Sequence, residues 1–574
     1  MDVQRIKAWS PWVLVLGALG VVHGPTLVAH IARGFHANIF NDDARQQIYP
    51  FFRYADSSLF PNDYVGDYYL DCLPLGFRAL YTASAPLIDP AVSSKIVAYL
   101  LLLITLAGLG VAANRIGGKV AAWAAMSLLL GASLYLDRMG GGLPRAFGFP
   151  ILAWALAALA YGRTKWLAAL VWLGALFYPV AGVVTGLATA LLLLLLPASD
   201  RGDAEAWDLR RRLRFLALAA GVSLVLLLPT IVASSSYAPV ITSDDLAEYP
   251  EAGPGGRYGT DSRAPYDSFA ESAATAVWRG VRGAGGPWVE PIGEWAADRA
   301  RAILIFVAAF SALGWLLFLA SSGVARRAMM LGLAAFIGYW LARFAPPYLY
   351  LPSRYADYSV PVLAVLMIST SVPAFYSMRD KLGWADAHVG ATKSFRAGVT
   401  LVFCLFVLLT IGGRGSATAG LNVEADDTAL YEAVASLPVD AVIAGWPRTA
   451  IENVPYVARR TALVTFETHQ AFHQEYADVM RERMRAEIDA WLATSDDPLI
   501  RLRDEHGVTH MLVYLPHLRG KRLEYFRPFN AWIAEAGREG AGKLPALQAL
   551  VDNHATYRDE RYALVDLRGL SGPL

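Results

Sequence analysis

Hydrophobic positions along this 574-residue chain are massed in blocks, with few alternating stretches before residue 412. Apolar runs stand at residues 12–31, 96–113, 120–136, 147–161, 166–178, 180–196, 215–232, 302–320, 328–341, 360–375 and 399–411. Blocks of this length read as helices, and several fall short of the ~20 residues that cross a bilayer, so their ends must extend into flanking residues. The pattern predicts a multi-spanning α-helical membrane protein with about eleven transmembrane helices. Residues 166–196 hold either one tilted helix or, if Tyr178-Pro179 is a turn, two short ones. After Gly412 the pattern changes to mixed polar sequence. Residues 441–445, 462–466, 509–515 and 562–567 read as buried strands, with helices expected at 429–437, 476–494 and 499–506. The chain therefore divides into a transmembrane domain, 1–413, and a C-terminal α/β domain, 414–574.

Charge orders these elements. With the N-terminus, carrying Arg5 and Lys7, placed in the cytoplasm, alternation puts five basic groups inside: Arg115 with Lys119; Arg163 with Lys165; Arg201 with Arg210, Arg211, Arg212 and Arg214; Arg326 with Arg327; and Arg379, Lys381, Lys393 and Arg396. This agreement requires 166–196 to cross twice, so the hairpin reading is preferred. The first run then reads as a retained signal anchor. Loops 32–95 and 233–300, and the C-terminal domain, fall on the extracytoplasmic side.

Composition agrees: 55% hydrophobic, 17% charged, with a mean hydropathy of +0.37. Such a chain is an integral membrane protein. A net charge of +1 gives no global basic field, which sets nucleic acid aside as a partner. Cys72 and Cys404 have no metal-ligand spacing and no common compartment, so neither a disulfide nor a zinc framework is expected. Richness in Ala, Gly, Leu and Arg suits a bacterial inner membrane.

The polar chemistry collects in the external loops. Asn41-Asp42-Asp43-Ala44-Arg45 follows the first span directly. A carboxylate pair at a bundle mouth can take a proton from a hydroxyl or hold a divalent cation; the alternative is a solvated helix cap before Ala44. Ile48, Phe51, Phe52, Ala55 and Leu59 recur at helical spacing, with Pro50 in the first turn, and predict an amphipathic helix lying on the membrane surface. A second short helix is expected within 73–83.

This arrangement resembles the GT-C superfamily of integral membrane glycosyltransferases: an acidic pair, Asp42 and Asp43, just after the first span, then juxtamembrane helices, many further spans and a C-terminal external domain. The resemblance implies transfer of a sugar from a polyprenyl-phosphate carrier to a glycan, lipid or protein acceptor at the membrane. It places the catalytic base or metal ligand at Asp42 or Asp43, with a divalent cation, Mg or Mn, as the metal. Charge developing on the departing phosphate calls for arginine, which forks onto phosphate oxygens. Candidates are Arg354 and Tyr355 in Tyr350-Leu351-Pro352-Ser353-Arg354-Tyr355, and Arg138 and Arg145 flanking Gly140-Gly141-Gly142. Both Arg145 and Arg354 are alternatively positive anchors at the interface. The glycine run is expected to let a substrate approach the backbone.

Other motifs point less clearly. The loop carrying Asp244, Asp245, Glu248, Glu251, Asp261 and Asp267 among Gly and Pro reads as a flexible connector, or as a lid or acceptor-binding loop. Gly445-Trp446-Pro447 and Glu467-Thr468-His469 follow strand ends, where sites in α/β sheets lie. His469, His473 and Glu475 cannot share one helix face, which argues against a metal site. His23 and His30 on the first span read as packing or interface contacts. Two other functions stand beside the transferase: a transporter or flippase of lipid-linked sugars, and a noncatalytic scaffold displaying the α/β domain.

Overall fold

The structure is a computed structural model that describes residues 3–242, 244–257, 269–281, 311, 314–315, 318–319, 322–344, 351–381, 398–404, 407, 418–539 and 546–570. Most of the expected span 302–320 and the end of 399–411 lie outside these residues. So do Asp261, Asp267, Tyr350, Lys393, Arg396 and the domain boundary at 413.

Helix α1 (Val3–Gly34) leads into strand β1 (Ile39–Phe40) and four short helices, α2 (Ala44–Gln47), α3 (Phe52–Ala55), α4 (Tyr64–Cys72) and α5 (Leu75–Ser84). Helix α6 (Pro90–Gly131) starts at a true cap, where an Asp89 carboxylate oxygen accepts the Ala91 N–H at 2.9 Å. At Gly118, φ of +71° ends one helix and starts another that folds back on it, bringing Met126 against Gly110, so the expected runs 96–113 and 120–136 are two separate helical segments of this element, the second ending at Gly131. Helices α7 (Ser133–Met139), α8 (Gly148–Tyr161), α9 (Thr164–Phe177), α10 (Pro179–Leu195), α11 (Leu209–Ser234), α12 (Phe269–Val281), α13 (Gly323–Phe344) and α14 (Ser353–Lys381) complete the described membrane region. Among the described residues, six helices are long and apolar enough to cross a membrane, and α9 and α10 are shorter apolar helices. Tyr178 and Pro179 form the turn between those two, giving a hairpin.

Burial follows the solvent. Leu218, Leu224, Val225, Leu228, Ile231 and Val232 on α11 are more than half exposed, an apolar belt that only lipid can cover. At one end of the bundle the basic loops meet. Arg327 donates to the carbonyls of Leu159 and Ala160, Arg326 binds Asp200 at 2.5 Å, and the Asp203 N–H reaches the Gly162 carbonyl. The opposite end carries the first loop.

Strand β2 (Val423–Glu424) opens the C-terminal domain, followed by α15 (Thr428–Ala435), β3 (Val442–Gly445), β4 (Thr461–Ala462), α16 (Gln474–Trp491), α17 (Asp497–His506), β5 (His510–Tyr514), α18 (Leu515–Leu518), α19 (Phe529–Glu539), α20 (Ala546–His554), β6 (Ala555–Arg558) and β7 (Tyr562–Asp566). The main sheet has the order β4-β3-β5-β7-β6; β3 runs parallel to β4 and β5, and β7 antiparallel to β5 and β6. Of the expected strand 462–466 only the start forms. Beyond the Leu463 N–H bond to Ile443, a turn of Thr465 and Thr468 hydroxyls takes over the backbone groups.

Glu487 on α16 lies fully buried beneath this sheet, close to the Gly445 backbone and the Trp491 side chain. Burial pushes its carboxyl well above the ordinary range. The folded chain therefore keeps a proton that the unfolded chain releases above about pH 4.3. Its favourable contribution is complete below that pH and drains away as pH rises toward the folded value. We predict that Glu487→Gln, which keeps shape and removes the titration, gains thermal stability over wild type progressively from pH 5 to pH 8. Melting curves that stay parallel across that range would refute this.

Candidate active site

The first loop is built against the segment that enters the C-terminal domain. Strands β1 and β2 pair antiparallel, Ile39 with Glu424 and Phe40 with Val423. Asn41 donates to the Gly420 carbonyl at 3.2 Å, and the Asp42 N–H to the Asn422 side chain at 3.0 Å. His30 bonds Tyr99 and the Ala419 carbonyl, a linking role at the helix end. With the backbone pinned on both sides, the Asp43 N–H turns back onto the side-chain oxygens of Asn41 and Asp42. Asp43 occupies the cap position of α2, yet its side chain makes no cap bond. The carboxylate instead pairs with Arg145 and accepts from Gln46 at 3.1 Å.

The glycine run makes that pairing reachable. Gly141 and Gly142 have φ of +77° and +59°, which favours glycine, and each glycine meets protein closely. A Cβ on Gly140 would lie 2.8 Å from the Gly420 carbonyl, and one on Gly142 2.7 Å from the Tyr81 hydroxyl. The close approach expected for a substrate is thus taken by the protein's own first loop. The chain then re-enters the bundle through a short turn, Pro144–Phe147, bringing Arg145 to Asp43 and, at 3.1 Å, to Asn41. The Arg145 Nε is buried without a hydrogen-bond partner among the described residues.

Around this pair the other predicted residues sort by position. Arg354, in the first turn of α14, lies close enough to act electrostatically on Asp43, as does Arg257 from the second long loop. Burial pushes the Asp43 carboxyl up, but Arg145, with Arg354 and Arg257 behind it, outweighs burial and holds it below the usual carboxylate range. Asp42 is half-buried like Asp43 and near enough to act on Arg145, but its carboxylate accepts the Asp43 N–H and its backbone carbonyl accepts from Arg45 Nε at 3.0 Å. Arg138 stands with Arg354 and Arg279 around Asp357. The Tyr355 ring is buried against Gly338 of α13.

Two expectations change. The apolar stripe of the first loop breaks into short helices, with Ile48, Phe51 and Phe52 fully buried in protein while Ala55 is exposed. A stripe that finds a protein partner has no need of the membrane surface. The second loop, as far as it is described, is docked and not a free connector: the Ile241 N–H bonds the Phe472 carbonyl, and fully buried Glu251 pairs with Arg481 at 2.5 Å. His473 bonds the Tyr68 hydroxyl and buried His469 packs on Tyr525, Phe526 and Phe529.

Sequence reading did not single out Arg257 or Glu467 as partners of the acidic pair. Arg257 Nη2 binds Glu467 at 2.8 Å, and Arg45 Nη2 stands 3.9 Å from the same carboxylate. The available signals were an arginine inside a Gly-rich loop and a glutamate just past a strand end. A divalent cation does not suit the donor set. Both Asp43 oxygens are engaged by Arg145 and Gln46, and no cluster of three or more His, Cys, Asp or Glu forms among the described residues.

No protein-family model and no curated protein matches this sequence. Solved structures do match. ArnT from Cupriavidus metallidurans superposes at TM-score 0.52 in the apo state and 0.53 bound to undecaprenyl phosphate, each at 15% identity. The apo match covers 99% of this chain and 100% of ArnT; the other covers 97% and 99%. The likeness to ArnT is one of fold. It extends through both domains, since the superposition leaves almost none of either chain outside.

The Asp43–Arg145 pair is about one-fifth exposed on each side, between the regimes of surface and buried ion pairs. We predict that Asp43→Asn and Arg145→Ala each lower stability by about 1–3 kcal/mol. The double variant should be less destabilised than the sum of the two. A thermal double-mutant cycle of the detergent-solubilised chain checks this; strict additivity would mean the two groups do not interact.

Proposed function

We propose that the protein is an inverting glycosyltransferase that moves a sugar from a polyprenyl-phosphate carrier to an acceptor hydroxyl on the extracytoplasmic side of a bacterial inner membrane. The observation that carries this reading is one carboxylate, Asp43, joined to Arg145 with Arg354 close by, at the end of an apolar bundle and beside the C-terminal domain. The fold likeness supports it, because ArnT was crystallised with undecaprenyl phosphate.

The chemistry follows from the charges. Asp43 is the base that takes the acceptor's proton as its oxygen attacks the anomeric carbon. The bond from that carbon to the phosphate oxygen breaks, and polyprenyl phosphate leaves carrying the charge. Arg145 and Arg354 neutralise it. Arg145 cannot serve both anions fully. Donor phosphate draws the guanidinium from Asp43, and the carboxylate, no longer held down, becomes a stronger base when the donor is in place. No step requires a metal.

We predict that Asp43→Asn lowers sugar transfer from a panel of radiolabelled polyprenyl-phosphate sugars to membrane acceptors by about 10²–10⁴-fold. Undecaprenyl phosphate binding should persist. Asp42→Asn should retain most activity, since Arg145 pairs with Asp43 and the Asp42 side chain accepts only the Asp43 N–H, which an amide oxygen can still accept. Full transfer by Asp43→Asn at matched expression would remove Asp43 as the base, and wild type inert toward every donor would remove the transferase.

A further inference from the structure

A further carboxylate meets the site from the C-terminal domain, and the transfer chemistry leaves it without a task. Glu467 lies just past β4, at the carboxyl end of the parallel part of the sheet, where crevices of such sheets bind ligands. Its backbone is fixed on both sides. The N–H points to Glu452 Oε2 at 3.3 Å, and the carbonyl accepts from the Tyr69 hydroxyl at 3.0 Å and from Gln470 at 2.5 Å.

The carboxylate itself is used on one side only. Oε2 accepts from Arg257 Nη2 at 2.8 Å. Oε1 faces Arg45 Nη2 at 3.9 Å, beyond hydrogen-bond reach, because that guanidinium is committed to the Asp42 carbonyl and the Asn453 side chain. Oε1 therefore accepts no hydrogen bond among the described residues, and the side chain keeps 18% of its surface exposed. The same Arg45 that faces Glu467 is held by Asp42, which places this open oxygen beside the acidic pair.

A carboxylate oxygen accepts hydrogen bonds and donates none, so its ligand is a donor, an O–H or an N–H group. Two carboxylates, Asp43 and Glu467, near enough to act on each other electrostatically suit a molecule that presents two hydroxyls, as a sugar ring does. We propose that Glu467 is an acceptor-positioning residue: Oε1 takes a hydrogen bond from a second hydroxyl of a saccharide acceptor and so holds the nucleophilic hydroxyl against Asp43. This rests on the transferase reading above and adds to it the acceptor class and the domain that reads it.

Electrostatics support the assignment. Burial pushes the Glu467 carboxyl up, Arg257 and Arg45 draw it down, and the charges of Asp43 and Glu452 push it up again, leaving it at about 7. Near neutral pH the residue therefore changes charge. Its ionised form is the better acceptor, so acceptor binding should strengthen as pH rises through about 7.

The test uses full-length protein in phosphatidylethanolamine and phosphatidylglycerol nanodiscs. The donor is whichever polyprenyl-phosphate sugar wild type consumes; the acceptors are octyl glycosides and their deoxy analogues, each lacking one hydroxyl beside the reacting one. Wild type should lose about tenfold in kcat/KM on one deoxy analogue, the size of a lost charge-assisted hydrogen bond. Glu467→Gln should raise the acceptor KM about tenfold with kcat within twofold. It should also abolish the rise across pH 7, while undecaprenyl phosphate binding and melting temperature stay unchanged. Glu467→Ala should no longer distinguish the deoxy analogue. Unchanged acceptor KM and pH profile in Glu467→Gln overturn the proposal, and so does a joint fall in kcat, donor binding and melting temperature, which marks a structural latch. Transfer to membrane extract but to no glycoside overturns the saccharide acceptor alone. Wild type inert with every donor overturns the transferase reading, and this one with it, before any variant is compared.

Discussion

The arrangement depends on keeping one carboxylate against one guanidinium at the edge of an apolar bundle. Neither Asp43 nor Arg145 can be placed there by its own segment. Asp43 is on a loop, and Arg145 is on a turn about a hundred residues later whose position depends on glycines. The surrounding devices serve this meeting. Gly140–Gly142 let one loop press on another, β1–β2 pairing fixes the backbone before Asp43, and Asn41 bridges Arg145 and the Gly420 carbonyl. A bulky residue in the glycine run would separate the loops, and the charge pair would part with them.

The same constraint explains why the C-terminal domain is joined so closely to the first loop. The Tyr68 ring stacks on Tyr476 of α16 at 3.6 Å, with Tyr64 and Tyr237 alongside, and the Tyr68 hydroxyl reaches His473. Offset and edge contacts of this kind contribute beyond the area they bury. Helix α4 is thus a shared wall: one side supports the loop that carries Asp43, the other packs on the α/β domain. Arg257 adds a third segment, lying 3.8 Å from the Phe466 ring centre while it binds Glu467. The site is made by three stretches far apart in sequence, and each is held by side chains of another.

The sequence was most legible where one strong physical term decides. Long apolar runs and most strands of the C-terminal domain followed from periodicity, and the Tyr178-Pro179 turn from the alternation of basic loops. Edge strand β6 was missed because Ala555–Arg558 is short and half-exposed, with no buried pattern to betray it. The first-loop stripe carried the right period but not the identity of its partner; periodicity says that a face is buried, not what buries it. For the same reason the second loop looked free. Glu251 and Tyr249 have ordinary loop surroundings in sequence, and only the fold brings Arg481 and Asp478 to them. Asp43 and Arg145 could each be picked out as chemically suited. Their partnership could not, because it depends on loop geometry that one chain does not encode locally.

A depressed carboxyl at Asp43 might be thought a poor base, since the charge that keeps it ionised also weakens its hold on a proton. The difficulty belongs to the donor-free state alone. The donor phosphodiester carries one charge shared by two free oxygens, as a carboxylate does, and gains a second as the sugar departs, so its claim on Arg145 grows along the reaction; the buried Nε, without a hydrogen-bond partner among the described residues, marks unused donor capacity on the same guanidinium. As Arg145 turns to the phosphate, Asp43 loses its strongest opposing charge while burial, which raises its pKa, remains. Basicity is therefore lowest when no donor is bound and highest when the sugar is present to be attacked. On the proposed chemistry, the pairing seen here suppresses an idle base, and the leaving group itself releases it.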